Sequence, residues 1–316
     1  MKFASIDIGT NTILLLLAEA DYCAPLNIYN DINYYEMPRL GKGLLPGEPV
    51  NIKRINLMRQ VLTNYRERII SYGCDKILVN ATNAFRIASN SSELSDIVEE
   101  ILGVRPNIIK GTDEAYLSHL GAVSPRISGN EKGAVIDIGG GSTEITIGTK
   151  TKIEFSHSFD FGVVSLSEKY FKGIIPHTDE IKSLRGEVRG KLCDFPNIRV
   201  RKIVAVAGTP TSLSAIKQNL IEYRDELIEG SVLSKTDLRN LYNKLKSSSS
   251  AELIKRYPNI LSGREDLIFS GLLILEEIIQ KLGSNELIVS SRGLRYGAIT
   301  HHLLKTENRN NNRQSE

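Results

Sequence analysis

Two short stretches constrain this chain more than anything else in it. Asp-Ile-Gly-Thr-Asn-Thr runs from Asp7 to Thr12, and Asp-Ile-Gly-Gly-Gly-Ser-Thr-Glu runs from Asp137 to Glu144. Each sits between two apolar runs: Phe3 to Ile8 and ILLLLAEA at 13–20 for the first, Ala134 to Ile138 and EITIG for the second. Apolar runs of strand length separated by a glycine turn read as strand–turn–strand. The two aspartates lie 130 positions apart, which is about the length of a domain. A repeated unit at that spacing implies two related domains facing each other. The 316 residues suit two domains better than one.

The rest of the chain interleaves the two periodicities. Residues 51–72 carry apolar side chains at helical spacing, from Ile52 and Ile55 to Ile69. Strands are expected at 76–82, 152–159 and 203–207 and at ELIVSS, 286–291. Helices are expected near 114–123, 211–221, 234–247, 266–281 and 297–305, with a polar tail from Lys305 onward. Alternating strands and helices make this an α/β chain.

Composition excludes several classes. A net charge of +3 gives no electrostatic case for nucleic acid or a membrane surface as partner. No run approaches the ~18 apolar residues of a membrane span. The N-terminus has no cleavable leader pattern, so a reducing cytoplasm is expected. Cys23, Cys74 and Cys193 are too few and too scattered for a disulfide framework or a zinc site. His157 reads as a packed or edge histidine, and His301 and His302 do not read as a metal site.

The turns carry the chemistry. Glycines let backbone amides converge on a ligand, and such an array is a nest for anions. Gly139, Gly140 and Gly141 supply it in the second turn, where Ser142 and Thr143 add hydroxyls; Thr10, Asn11 and Thr12 add side-chain donors in the first. Phosphate suits such a nest, yet Asp7, Asp137 and Glu144 would repel phosphate. They make sense with a divalent cation between, and Mg²⁺ is typically held by one or two carboxylates plus phosphate oxygens. A glycine-rich hairpin with no ligand is the competing reading. Two such turns in one chain argue against it.

DIGTNT, ATNAFRIASN, GTDEAYLSHLG, DIGGGSTE, AVAGTPTSL and GLRYG stand in one order from Phe3 to about Leu304. With them the chain resembles the exopolyphosphatase/guanosine pentaphosphate phosphohydrolase family (Ppx/GppA), of the acetate kinase, sugar kinase, heat-shock ATPase and actin superfamily. The resemblance implies two ribonuclease H-like domains facing across a cleft. Residues 1–121 plus 298–316 would form the first, with the C-terminal helix returning to it, and 122–297 the second. It implies that the two Asp-Ile-Gly turns bind phosphate. It also implies that Glu114 is the catalytic base, that Arg86 contacts phosphate, and that Gly208 and Thr209 belong to a third glycine turn lining the cleft. The chain is similar to the short members, which have no further C-terminal domain, and a homodimer is compatible with the resemblance. Ser165, Arg292 and Tyr296 depart from the family pattern in segments expected to shape the substrate path. Arg264 and Asp266 read as helix-start and packing residues.

The implied activity is metal-dependent hydrolysis of a terminal phosphoanhydride. Inorganic polyphosphate is the leading substrate and guanosine pentaphosphate the alternative, because both need the same turns. A small-molecule kinase of the same superfamily and a non-catalytic polyphosphate or alarmone sensor are the readings from other classes.

Overall fold

The computed structural model describes residues 1–123, 131–149, 152–193, 195–196, 198 and 200–314, with side chains to 306 in the last helix. Contacts divide the chain into unit 1, Met1–Ser124 with Arg292–Glu316, and unit 2, Pro125–Ser291.

Unit 1 opens with β1 (Lys2–Ile8), β2 (Ile13–Ala20), β3 (Ile28–Glu36), α1 (Ile52–Tyr72) and β4 (Lys76–Ala81). It continues with α2 (Asn83–Ile87), α3 (Ser91–Leu102), β5 (Asn107–Ile108) and α4 (Gly111–Val123). Unit 2 begins with β6 (Gly133–Ile138), β7 (Thr143–Gly148), β8 (Ile153–Phe159), α5 (Val163–Tyr170) and α6 (Thr178–Leu192). Then follow β9 (Lys202–Val206), α7 (Gly208–Lys217), α8 (Asp225–Ile228), β10 (Val232–Ser234) and α9 (Lys235–Leu245). It closes with α10 (Ser250–Arg256), α11 (Pro258–Leu261), α12 (Ile268–Leu282) and β11 (Glu286–Val289), before α13 (Leu294–Gln314) returns to unit 1.

The repeat seen in the two turns extends to whole sheets. In unit 1 the strand order is β3-β2-β1-β4-β5, and in unit 2 it is β8-β7-β6-β9-β11, with β10 added at the far edge. In each, the first three strands form an antiparallel meander and the next two run parallel to its first strand. This is the ribonuclease H-like arrangement that the sequence resemblance implies.

Burial on both faces of a period-two strand explains why ILLLLAEA is apolar except at Glu19. Ile13, Leu15 and Leu17 join Ala4, Ile6 and Ile8 in one core, packed with Ile55, Met58 and Leu62 of α1. Leu16, Ala18 and Ala20 face the other way, with Phe3, toward Tyr296, Ile299 and Leu303 of α13. In unit 2 one larger core gathers β6, β7, β9 and α12.

The structure changes several sequence expectations. Helix α1 does not use Ile52, which is exposed. The ATNAFRIASN motif spans the short helix α2, which ends at Ile87, and α3 begins separately at Ser91. The segment read as a polar tail from Lys305 continues α13 to Gln314, while Ser315 and Glu316 lie outside the described residues. No helix of the described residues is long and apolar enough to cross a membrane.

Candidate active site

The two Asp-Ile-Gly turns are built alike. Ile8 pairs with Ile13 and Ile138 with Thr143, so each loop has four residues. The amide of Gly9 donates to the Thr12 carbonyl at 2.9 Å, and that of Gly139 to the Ser142 carbonyl at 3.0 Å. A Cβ at Gly139 would stand 3.0 Å from that carbonyl, and one at Gly9 3.2 Å from its counterpart, which is why glycine opens both turns.

In unit 2 the turn is anchored from one side. Helix α5 begins beneath it, and its first amides donate to turn carbonyls: Val163 to Gly139 at 3.0 Å, Val164 to Gly140 at 2.8 Å. The helix thus satisfies amides that would otherwise be orphaned at its start. Gly162 makes this approach feasible, since a Cβ there would lie 2.5 Å from the backbone of Gly139 and Gly140. Ser165 accepts from the Gly162 amide at 2.9 Å, half of a capping box. The Thr143 hydroxyl, fully buried, donates to the Phe161 carbonyl at 2.8 Å. Meanwhile the amides of Gly140 and Gly141 donate to no acceptor among the described residues.

Asp137 and Glu144 are directly opposed across β6 and β7. Opposed residues share a face with Cβ atoms about 4.5–5.5 Å apart, and like charges there destabilise the sheet. Glu144 is buried, and one of its oxygens accepts from Ser158 of β8 at 2.6 Å. Two carboxylates on one face beside a turn with two unbonded amides have the chemistry to hold a divalent cation that draws its other ligands from an anion and water. No group of three or more His, Cys, Asp or Glu side chains forms a cage among the described residues. The opposed pair in unit 1 is Asp7 and Leu14, so the two turns differ in carboxylate content.

The unit 1 turn is covered by a strap. Arg39 donates its amide to the Asn11 carbonyl at 3.0 Å, and Gly41 donates to the Thr10 carbonyl at 2.8 Å. Arg39 adopts φ 55°, the left-handed region that ordinary residues seldom occupy. Thr10 and Asn11 are buried, and Asn11 Oδ1 has no hydrogen-bond partner among the described residues.

Glu114 lies in the first turn of α4 and is buried. Its Oε2 is 2.7 Å from Arg86 Nη1, which also donates to the Ile109 carbonyl at 2.9 Å. Arg86, in the last turn of α2, therefore links Glu114 to the backbone of Ile109, just past β5.

AVAGTPTSL is not a hairpin turn like the other two. Strand β9 ends at Val206, Ala207 takes φ 75°, and Gly208 opens helix α7. The guanidinium of Arg264 packs on Gly208, 2.7 Å from where a Cβ would be, and donates to Ser212 at 3.3 Å. Thr209 is buried against Gly271 of α12. Sequence reasoning passed over Arg39, for which the available signal was an arginine two residues before a glycine in a loop, and gave Arg264 only a helix-start and packing role.

Two family departures, Tyr296 and Arg292, make contacts within unit 1. The Tyr296 hydroxyl, buried, donates to Asp31 at 2.6 Å and accepts from Asn33 at 2.9 Å. The Arg292 guanidinium lies over the Tyr296 ring, 5.1 Å from its centroid.

Comparison with known proteins adds three findings. Residues 36–306 match the Ppx/GppA phosphatase family. Exopolyphosphatase 2 of Mycobacterium tuberculosis is 30% identical over 312 residues, covering 93% of this chain and 96% of the relative. A bifunctional 3-dehydroquinate synthase/phosphatase of Fusobacterium nucleatum is 30% identical over 311 residues, and the match spans 94% of this chain but only 46% of that protein. Among solved structures, the Ppx-GppA enzyme of Aquifex aeolicus superposes with a TM-score of 0.81 at 27% identity, over 95% of this chain and 99% of that one.

Proposed function

We infer that this chain, which belongs to the Ppx/GppA phosphatase family, is an exopolyphosphatase that releases orthophosphate from the end of inorganic polyphosphate. The observation that carries the reading is the second turn. Its carbonyls are held by α5, while the Gly140 and Gly141 amides remain available to an anion. As a member of the family the protein is a phosphoanhydride hydrolase.

Each group has a stated task. Turn amides, with Ser142 and the residues Thr10 to Thr12, hold phosphate oxygens and stabilise charge on the transferring group. Such preorganised donors supply much of the catalysis in phosphoryl transfer. Asp137 and Glu144, with Asp7, would hold a divalent cation, which supplies charge neutralisation to the phosphate when bound. Glu114 takes a proton from water as the water oxygen attacks the terminal phosphorus. The bridging P–O bond breaks, orthophosphate is released, and the shortened chain leaves with the bond electrons. Arg86 holds Glu114 for that transfer, and its planar fork suits phosphate oxygens as well. Gly208 and Thr209, at the start of α7, add donors for a further phosphate.

The test is orthophosphate release from long-chain polyphosphate and from guanosine pentaphosphate, each with and without Mg²⁺. Metal-dependent release that favours polyphosphate is the expected result. Release only from guanosine pentaphosphate would assign the nucleotide as substrate. Binding of either without release would make the protein a sensor.

A further inference from the structure

Unit 1 contains a cavity of about 690 Å³ whose walls include neither the turn at residues 9–12 nor Arg86 or Glu114. That volume lies in the range of small-molecule sites. It opens between β4, the segment leading into β5, α4 and α13. One wall is apolar: Leu78, Ile109, Leu117 and Ala298 pack together there with Tyr116. The Tyr116 ring meets His301 edge-on at 5.4 Å between centroids.

The opposite character lies at the rim. Lys76 at the start of β4 and Lys305 on α13 both line the cavity and are exposed, and among the described residues neither is in an ion pair. Arg105 also lines it, but is held by Asp96 at 2.7 Å and Glu99 at 2.8 Å. Asp113 is the one acid in the lining. Burial lowers the pKa of both His301 and His302. Lys305 and His302 lower His301 further against an opposing pull from Asp113, and Lys76 lowers His302 further. Near neutral pH the imidazoles are therefore uncharged, each with one donor and one acceptor nitrogen.

An inorganic anion would have no use for the apolar wall, and an apolar ligand would leave two lysines idle. We propose that this cavity binds a phosphorylated small molecule with a flat ring, of the nucleoside monophosphate class. The ring rests on the Tyr116–Leu117 wall, the imidazoles bond its polar edge, and the lysines hold the phosphate. Helix α4 carries Tyr116 and Leu117 and, two and three residues before them, Glu114. The ligand thus touches the helix that carries the candidate base. The binding itself does not depend on the hydrolase reading.

Titration calorimetry on the full chain tests this. The probes are adenosine and guanosine monophosphates, with inorganic phosphate as the ringless control. The proteins are wild type, Lys76→Glu/Lys305→Glu and Asp137→Asn. At least one nucleotide should bind saturably to wild type and to Asp137→Asn, and bind at least about tenfold more weakly to the lysine double variant. Phosphate alone should bind at least about tenfold more weakly than that nucleotide. A thermal melt checks that the double variant, altered only at exposed positions, is folded. Unchanged affinity in the double variant, loss of binding in Asp137→Asn, phosphate binding as tightly as the nucleotide, or no nucleotide binding would each overturn the proposal.

Discussion

Glu114 is a buried carboxylate paired with the Arg86 guanidinium, and its position in the first turn of α4 also suits the helix dipole. A purely structural glutamate could occupy the same place, so the two roles must be separated by what is lost. Replacing Glu114 with Gln keeps the size and most hydrogen bonds. If it is the general base, turnover should fall by ~10²–10⁴ while polyphosphate affinity stays close to wild type. Near-normal turnover would remove it from the mechanism. Asp137→Asn probes the other charge. Its loss should raise the Mg²⁺ concentration needed for half-maximal orthophosphate release, and an unmoved metal titration would place Asp137 outside the cation site. Residues of this kind were legible because they sit in short motifs with a chemical logic. Arg264 was not: its place over Gly208 depends on α7 and α12 coming together, and nothing local in GREDL announces that.

At the scale of elements, the Asp-Ile-Gly turn of unit 2 is a piece of a strand–turn–strand–helix assembly. The approach of α5 requires a bare Cα at Gly162. Gly162→Ala would drive a methyl into the turn, and overpacking of this kind costs about 1–3 kcal/mol. The predicted signature is a lowered melting temperature together with a larger fractional loss of orthophosphate release than the lost stability explains; unaltered release would mean the turn tolerates the shift. A second inter-element contact lies elsewhere in unit 2, between α6 and α12. Glu277, almost fully buried, accepts from Arg185 at 2.6 Å and from Arg189 Nε at 2.6 Å, and Arg185 also pairs with Glu276. Glu277→Ala would leave Arg185 next to a single carboxylate in a half-buried setting. Breaking such a pair costs about 3–5 kcal/mol, discounted here because Arg189 is exposed. Urea unfolding should show it, and a midpoint within error of wild type would argue that the network is dispensable. Element by element, the strongly apolar strands and α1 could be read from periodicity. Helix α6 was passed over because its core positions, Ile181, Leu184, Val188 and Leu192, are diluted by charges and two glycines. Strand β3 was missed because Asn and Asp interrupt an alternation that is only half-buried in the fold.

For the molecule as a whole, the repeated Asp-Ile-Gly turns are the visible remnant of a duplication that the sheets express in full. The sequence similarity survives only where glycine is sterically required, whereas the strand order survives everywhere. The same division explains α13. Unit 2 is one continuous segment, while unit 1 is completed by a helix nearly 300 residues from β1 along the chain. Without it, Phe3, Leu16, Ala18 and Ala20 would lose the cover of Tyr296, Ile299 and Leu303. Tyr296 adds a polar tie to the same contact, joining α13 to Asp31 and Asn33 of β3. Tyr296→Phe would keep the ring and its packing and remove only the hydroxyl. Asp31 would keep Arg292 at 3.8 Å, and Asn33 would keep Arg295 at 2.7 Å, so neither loses every partner. The expected cost is therefore near the lower end of the about 1–3 kcal/mol for a buried polar group left short of a bond. Urea unfolding followed by circular dichroism would show a lower midpoint with an unchanged slope. Orthophosphate release per folded molecule should stay at the wild-type value. A fall in turnover at unchanged stability would instead return Tyr296 to the substrate path that its departure from the family pattern suggested.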